Sequence, residues 1–374
     1  MAERVVVAMS GGVDSSVAAA LLKEQGYEVI GITLNIWPKL TSEEALERPD
    51  ACCSLSAVED ARRVADRLEI PHYVLNFREI FEKAVIEDFA REYLVGRTPN
   101  PCIRCNEFVK FDALLRKALG LGAKYIATGH YARVQHDPQR GRYVLRKARD
   151  LTKDQTYVLY VLKQEQLRHT LVPLGDYLKT QARQMALERG LPVAFKAESQ
   201  EICFVTQRDY GIFLTGYVPD AAKPGPIIDI HGHELGQHRG IIFYTIGQRR
   251  GLGIASPQPL YVVEIDAQRN AIIVGPESAL YRETLVANRL NLISEESIPE
   301  PLEVKAKVRY KMPEEDAVVW QTDADTISLR FREPQRAITP GQAVVFYRGD
   351  ILVGGATIVS FSDAAVCTPP NLTL

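Results

Sequence analysis

RVVVAMSGGVDSSVAAALL, residues 4–22, runs from an unbroken apolar segment through two glycines into a pattern of helical length. An apolar run bounded by glycine reads as a strand buried on both faces, as in a parallel sheet. The helix begins directly at the strand's end, so its unpaired backbone N–H groups point at whatever lies beyond the sheet, and Gly11 and Gly12 let that group come close. This is the pattern of a phosphate loop. No Lys-Ser or Lys-Thr pair follows the glycines, which excludes a Walker A loop. A plain helix cap by Ser10 or Asp14 accounts for the same residues without a ligand.

Outward from this segment, EVIGITLNI (28–36), HYVLNF (72–77) and KYIATG (124–129) repeat the buried-strand pattern. Between them, residues 14–26, 54–70 and 78–96 have helical length and spacing, with Gly26 and Gly96 as C-terminal stops. Alternating strands and helices predict an α/β fold with a doubly wound parallel sheet. Helical patterns continue to about residue 215, and closely spaced strands follow. Residues 224–240 and 261–275 predict hairpins, and five segments from LEVKAKVRY (302–310) to ILVGGATIVSF (351–361) predict a barrel. The expected domains are 1–215, catalytic; 216–278, small and β-rich; and 279–374, a C-terminal β-barrel.

With 374 residues, 46% apolar and 25% charged, the composition is that of a soluble globular chain of two or three domains. No signal-like leader opens it and no apolar run reaches the roughly 18 residues of a membrane span, so a cytoplasmic location without membrane contact is expected. Six cysteines, at 52, 53, 102, 105, 203 and 367, do not make a secreted disulfide framework in a chain this long. In a reducing compartment the closely spaced Cys102 and Cys105 lean towards metal binding or catalysis. A net charge of −2 gives no global sign of nucleic-acid binding, so that role must come from local patches.

SGGVDSS (10–16) resembles the pyrophosphate loop of the ATP-pyrophosphatase superfamily, which cleaves ATP between its α and β phosphates. Together with RTPNPCIRCN (97–106), ATGHYAR (127–133), KDQTYVLY (153–160), ESQEICF (198–204) and TIGQRRGLGI (245–254), in this order, the chain resembles the tRNA-specific 2-thiouridylases. That resemblance implies ATP-dependent 2-thiolation of the wobble uridine of tRNAs with Lys, Glu and Gln acceptors, with Mg2+ as the companion of ATP. It implies an ATP site at Ala8, Met9, Ser10, Gly11, Gly12, Val13, Asp14, Ser15, Leu34 and Gly129. It places Asn100, Pro101 and Cys102 around the target base, and His130, Lys153, Asp154, Gln155, Arg309, Tyr310 and Gln342 against tRNA. Met9, Leu34 and Gly129 fall at the carboxyl ends of predicted strands, where open α/β sheets hold ligands.

The chemistry explains why such a site carries thiols. Expelling the C2 oxygen of uracil unaided would release hydroxide, whose conjugate acid has a pKa of about 15.7. Adenylation lets AMP leave instead, a phosphate monoester with a second pKa near 6. A sulfur nucleophile must follow, and thiolates suit it. The resemblance implies Cys203 as persulfide carrier, loaded by a cysteine desulfurase or sulfur-relay protein, and Cys105 as the thiol that resolves it, with Asp14 in the catalytic loop. Cys102, Cys105 and Cys203 also suit a [4Fe-4S] cluster, the alternative route for sulfur. From residues alone, Cys203 equally reads as a small buried hydrophobe.

Basic stretches supply candidate RNA contacts: residues 140–153, Arg249 with Arg250, and KAKVRYK (305–311), whose alternation predicts Lys305, Lys307, Arg309 and Lys311 on one strand face. A solvated outer face explains that strand as well, and Thr152 with Gln155 fits a capping box. Two rivals remain at this level. An ATP-dependent amide-forming ligase shares the loop but has no use for paired thiols. A zinc-bearing RNA-binding module leaves the loop idle.

Overall fold

The computed structural model describes residues 2–37, 55–198, 202–205 and 209–362. Cys52, Cys53 and Cys367, and Ser199–Glu201 of the ESQEICF stretch, lie outside the described residues. Two compact units form, one from Met1–Ile86, Pro101–Arg208 and Asp350–Leu352, the other from Glu87–Asn100, Asp209–Gly349 and Val353–Leu374.

In the first unit the chain order is β1 (Arg4–Ala8), α1 (Val13–Glu24), β2 (Glu28–Asn35), α2 (Leu55–Arg67), β3 (His72–Asn76), α3 (101–120), β4 (Tyr125–Ala127), β5 (Arg133–Asp137), β6 (Arg142–Arg146), β7 (Thr170–Leu171) and α4 (Lys179–Glu188). The sheet runs β3-β2-β1-β4-β7, parallel throughout. Strand order reverses on either side of β1, so the loop after β1 opens at the switch point of the sheet. Val5, Val7, Val17, Leu21, Ala182 and Ala186 share one core in which α1 packs against β1 and α4. Each such Val or Leu contributes roughly 1.5–3 kcal/mol by leaving water. Gly26, at a φ of 88°, stops α1 as the sequence predicts.

The expected helical texture up to residue 215 is interrupted. Residues 133–146 form the β5–β6 hairpin, and Gly141, at a φ of 62°, makes its turn. Within RTPNPCIRCN the chain becomes helical at Pro101. Proline costs nothing at a first helical position, where its missing N–H would be unpaired anyway. Cys105–Leu114 then continue α3 as a π-helix before Leu115–Gly120 return to α geometry.

The second unit holds a four-stranded sheet of order β10-β11-β8-β9, from β8 (Gly225–Asp229), β9 (Glu234–His238), β10 (Tyr261–Asp266) and β11 (Ala271–Gly275). Both expected hairpins are there. It also holds β12 (Tyr281–Leu292), β13 (Leu302–Lys307), β14 (Glu315–Asp323), β15 (Thr326–Arg336), β16 (Ala343–Arg348) and β17 (Ile351–Ser362). These run β12-β15-β14-β13-β16-β17, and β12 pairs again with β17, so the barrel is closed and has no free edge. Leu285, Val304, Val319, Leu329, Phe346 and Ile358 fill it. The first barrel strand escaped the sequence reading because Arg282, Glu283 and Thr284 open it with polar groups. KAKVRYK is not one strand face: β13 ends at Lys307, which is buried beside the Tyr347 ring, and the chain turns before Arg309.

Candidate active site

The loop after β1 is built for close approach. Gly11 has a φ of 66°, and a Cβ there would lie 2.1 Å from the Ala57 carbonyl oxygen of α2. A Cβ on Gly129, at the end of β4, would lie 2.6 Å from the Ser15 amide nitrogen. Neither position tolerates a side chain without backbone movement. Ser15 is inside the loop rather than capping it: its Oγ accepts from the Ser10 amide at 3.2 Å and donates to the Gly12 carbonyl at 3.3 Å. Ser16 Oγ donates to the same carbonyl at 2.7 Å. The ligand-free alternative, a cap by Ser10 or Asp14, is not what forms: Gly12 stands at the N-cap of α1 with no side-chain cap. The amides of the helix start are thereby left to an anion, as a nucleotide phosphate requires. Met9 and Leu34 are buried at the ends of their strands, and Thr33 fixes the Met9 carbonyl with a 2.8 Å hydrogen bond.

Asp14 has partners no local pattern reveals. Lys179 Nζ, at the start of α4, donates to both of its carboxylate oxygens at 2.7 Å, and the Tyr131 hydroxyl donates to one at 2.8 Å. Lys179 also lies 3.4 Å from Glu198, which accepts from Lys153 Nζ at 2.8 Å and has Arg183 at 3.9 Å. Asp150 accepts from the Lys179 amide at 2.9 Å and so seats α4. Three carboxylates, Asp14, Glu198 and Asp150, thus meet three cations, Lys179, Lys153 and Arg183. With the side-chain charges balanced, the unpaired amides at the start of α1 are what suits a polyphosphate. Hydrogen bonding from Lys153, aided by Lys179, holds the Glu198 carboxyl below its ordinary range against the opposing effect of burial. Burial and the neighbouring Asp14 push the Tyr131 phenol up, keeping it a donor. On the other side, Lys196 Nζ binds the Gly11 carbonyl at 3.1 Å and Asp60 at 2.6 Å.

Cys102 is exposed in the first turn of α3, Cys105 is half-buried at the onset of its π-helical part, and Cys203 is half-buried. All three are thiols within the first unit. The side chain of Asn106 ties α3 to the Val158 carbonyl at 2.9 Å. Among the described residues no three His, Cys, Asp or Glu side chains gather as a metal would need. The three cysteines therefore do not fit an iron-sulfur cluster as they stand here.

Several residues expected against RNA have internal tasks. Asp154 is buried and accepts from the Ala148 amide at 2.9 Å and the Thr156 hydroxyl at 2.5 Å. Gln155 accepts from the Tyr131 amide at 2.9 Å and precedes the Thr156–Leu159 helix without a capping box; Thr152 bonds Asp150 instead. His130 Nδ1 lies 2.8 Å from Thr128 Oγ1, and burial, helped by Lys110, holds the ring neutral. Arg309 donates to the Ile246 and Ala337 carbonyls at 3.2 and 2.8 Å and to Thr339 Oγ1 at 2.7 Å. Gln342 donates to the Thr98 carbonyl at 2.7 Å, holding the loop that leads to Asn100; Tyr310 is half-buried. In the basic stretch, Arg140 pairs with Asp137 and Arg146 with Asp350.

Three family models match in succession: a tRNA methyl transferase HUP domain over residues 3–207, a tRNA methyl transferase PRC-barrel domain over 212–276, and an aminomethyltransferase beta-barrel domain over 282–358. A tRNA-specific 2-thiouridylase MnmA of Pelotomaculum thermopropionicum is 58% identical over 96% of this chain and 98% of its own. The enzymes of that name from Acetivibrio thermocellus and Moorella thermoacetica are 56% and 57% identical over 95% and 96% of this chain, and over 99% and 100% of theirs. The chain belongs to the tRNA-specific 2-thiouridylase family. Likeness to solved structures is lower: a 4-thiouridine synthetase–RNA complex with bound ATP gives a TM-score of 0.36 at 18% identity over 58% of this chain and 51% of that one. In this 2-thiouridylase the residues the sequence reading missed are Lys179 and Tyr131. Lys179 sits in no recognisable motif, and only its placement at a helix start offered a signal.

Proposed function

We propose that this 2-thiouridylase activates the C2 oxygen of the wobble uridine of tRNA with ATP and replaces it with sulfur carried on Cys203. The uridine C2 oxygen attacks the α-phosphorus of ATP, an O–P bond forms, the α–β bridge breaks, and pyrophosphate departs into the loop at 10–15. Gly11 and Gly129 leave room for the phosphates, the α1 amides and Lys179 neutralise their charge, and Mg2+, when bound with ATP, shares that task. The terminal sulfur of a Cys203 persulfide then attacks C2, and AMP leaves with the original oxygen. Cys105 thiolate attacks the Cys203 sulfur, forming a Cys105–Cys203 disulfide and leaving the sulfur on C2. A thiol reductant supplies the two electrons that reopen the disulfide, and a sulfur donor protein reloads Cys203. Asn100, Pro101 and Cys102 border the target base in this reading, which can be splayed out of a single-stranded anticodon loop at modest cost.

The observation that carries the reading is the joining of one unit's phosphate cradle, through Asp14, Lys179 and Glu198, to the stretch that leads to Cys203. Peptide mapping after a single turnover tests it. Cys203→Ser is expected to lose sulfur loading and transfer together. Cys105→Ser is expected to load sulfur but not release it. A disulfide requires Cα atoms about 4.4–6.8 Å apart, so the linkage reports their approach directly. An enzyme that turns over repeatedly without ever forming it would refute the role given to Cys105.

A further inference from the structure

The turn Thr245–Arg250 in the second unit is tied at every step. The Gly247 amide donates to the Val262 carbonyl at 2.8 Å, the Val262 amide to the Gln248 carbonyl at 2.9 Å, and the Gln248 amide to the Thr245 carbonyl at 3.0 Å. The Gln248 side chain accepts from the Thr245 amide at 3.1 Å and donates to the Arg250 carbonyl at 3.0 Å. Ile246 is buried with Val263, Leu280 and Ala337, and Arg309 holds its carbonyl from below. Gly247, with a φ of 89°, leaves no slack: a Cβ there would lie 3.0 Å from Ala337 Cβ. Out of this fixed frame project two consecutive arginines, Arg249 and Arg250, both exposed. Many exposed arginines of this chain, such as Arg63, Arg116 and Arg332, have a carboxylate within 4.0 Å. Among the described residues, Arg249 and Arg250 have none.

We infer that Arg249 and Arg250 form a preorganised clamp for adjacent phosphates of the tRNA backbone, and that Arg309 is the positioning residue beneath it. The inference rests on tRNA being the substrate, as proposed above. A guanidinium offers a planar fork of donors that matches phosphate oxygens, and a rigid turn spares the entropy of ordering that fork on binding. Because one Arg309 nitrogen is spent on three protein oxygens, its loss acts on RNA through the turn.

The test is tRNA affinity as a function of salt. Arg249→Ala/Arg250→Ala is expected to weaken binding at least ten-fold and to flatten the logarithmic salt dependence by roughly 1.4–1.8, two contacts at about 0.7–0.9 each. Gly247→Ala, which keeps both charges but disturbs the turn, is expected to weaken binding as well. Arg348→Ala removes one charge from the exposed end of β16 and serves as the control. An equal loss per charge in the control would show nonspecific attraction and overturn the clamp. So would a double variant with wild-type affinity and slope, or a Gly247→Ala protein with undiminished binding. Wild-type protein with no affinity for tRNA would instead overturn the substrate reading itself.

Discussion

Asp14 is the residue on which the nucleotide reading turns, and its environment reverses what its motif suggests. A carboxylate at the mouth of a phosphate loop repels the ligand unless its charge is met, and Lys179 meets it at 2.7 Å on both oxygens. Lys179 is buried, with a side chain only 10% exposed, whereas that of Asp14 is 32% exposed. Removing one partner of a fully buried pair costs about 3–5 kcal/mol, and solvent at Asp14 brings the cost of Lys179→Ala below that. The larger effect is expected on ligand binding: Lys179→Ala should weaken ATP at least ten-fold by equilibrium binding, with tRNA affinity little changed. Unaltered ATP affinity would show that the lysine serves only to stabilise the fold. At His130, which the family resemblance sets against tRNA, burial leaves a neutral ring.

At the scale of elements, the loop works because two others press on it from opposite sides. The end of β4 approaches the first turn of α1 so closely that Gly129 is the only residue type that fits; α2 does the same at Gly11. Gly129 has no positive φ, so the demand there is steric rather than conformational. Gly129→Ala is expected to destabilise by about 1–3 kcal/mol, as overpacking does, and to abolish ATP binding in the folded fraction. Denaturation together with nucleotide titration reads both; a variant of wild-type stability that still binds ATP would mean β4 does not set the loop. The β1–α1 junction was legible in the sequence because strand, glycines and helix are consecutive. The β5–β6 hairpin was not, because its Arg-rich strands lack an apolar alternation and are held in part by Asp350, more than 200 residues away.

For the whole molecule, stability in acid follows from carboxylates that the fold holds ionised. Glu198 is held down by Lys153; at Asp60 burial pushes upward, and hydrogen bonds from Lys196 and Arg63 outweigh it. A depressed folded pKa contributes stability above the ordinary values, 4.5 for Glu198 and 3.8 for Asp60, and loses it as pH falls through the folded values. Denaturant titrations from pH 6 down to pH 3 should therefore show wild type losing stability below about pH 4.5 more steeply than Glu198→Gln; parallel profiles would remove this contribution. What the sequence by itself determined was everything written along the chain: the apolar runs of the parallel sheet, the glycine stops at 26 and 96, the phosphate loop, the switch to closely spaced strands, and the family. Those follow from steric and hydrophobic preferences between near neighbours. Which charges remain for a ligand was decided only in three dimensions. Asp14 meets Lys179 165 positions away, Gln342 turns to Thr98 rather than outward, and Lys307 is largely buried beside Tyr347. Coulomb attraction and desolvation act through space, so a row of lysines and arginines in sequence gives no measure of the charge left exposed after folding.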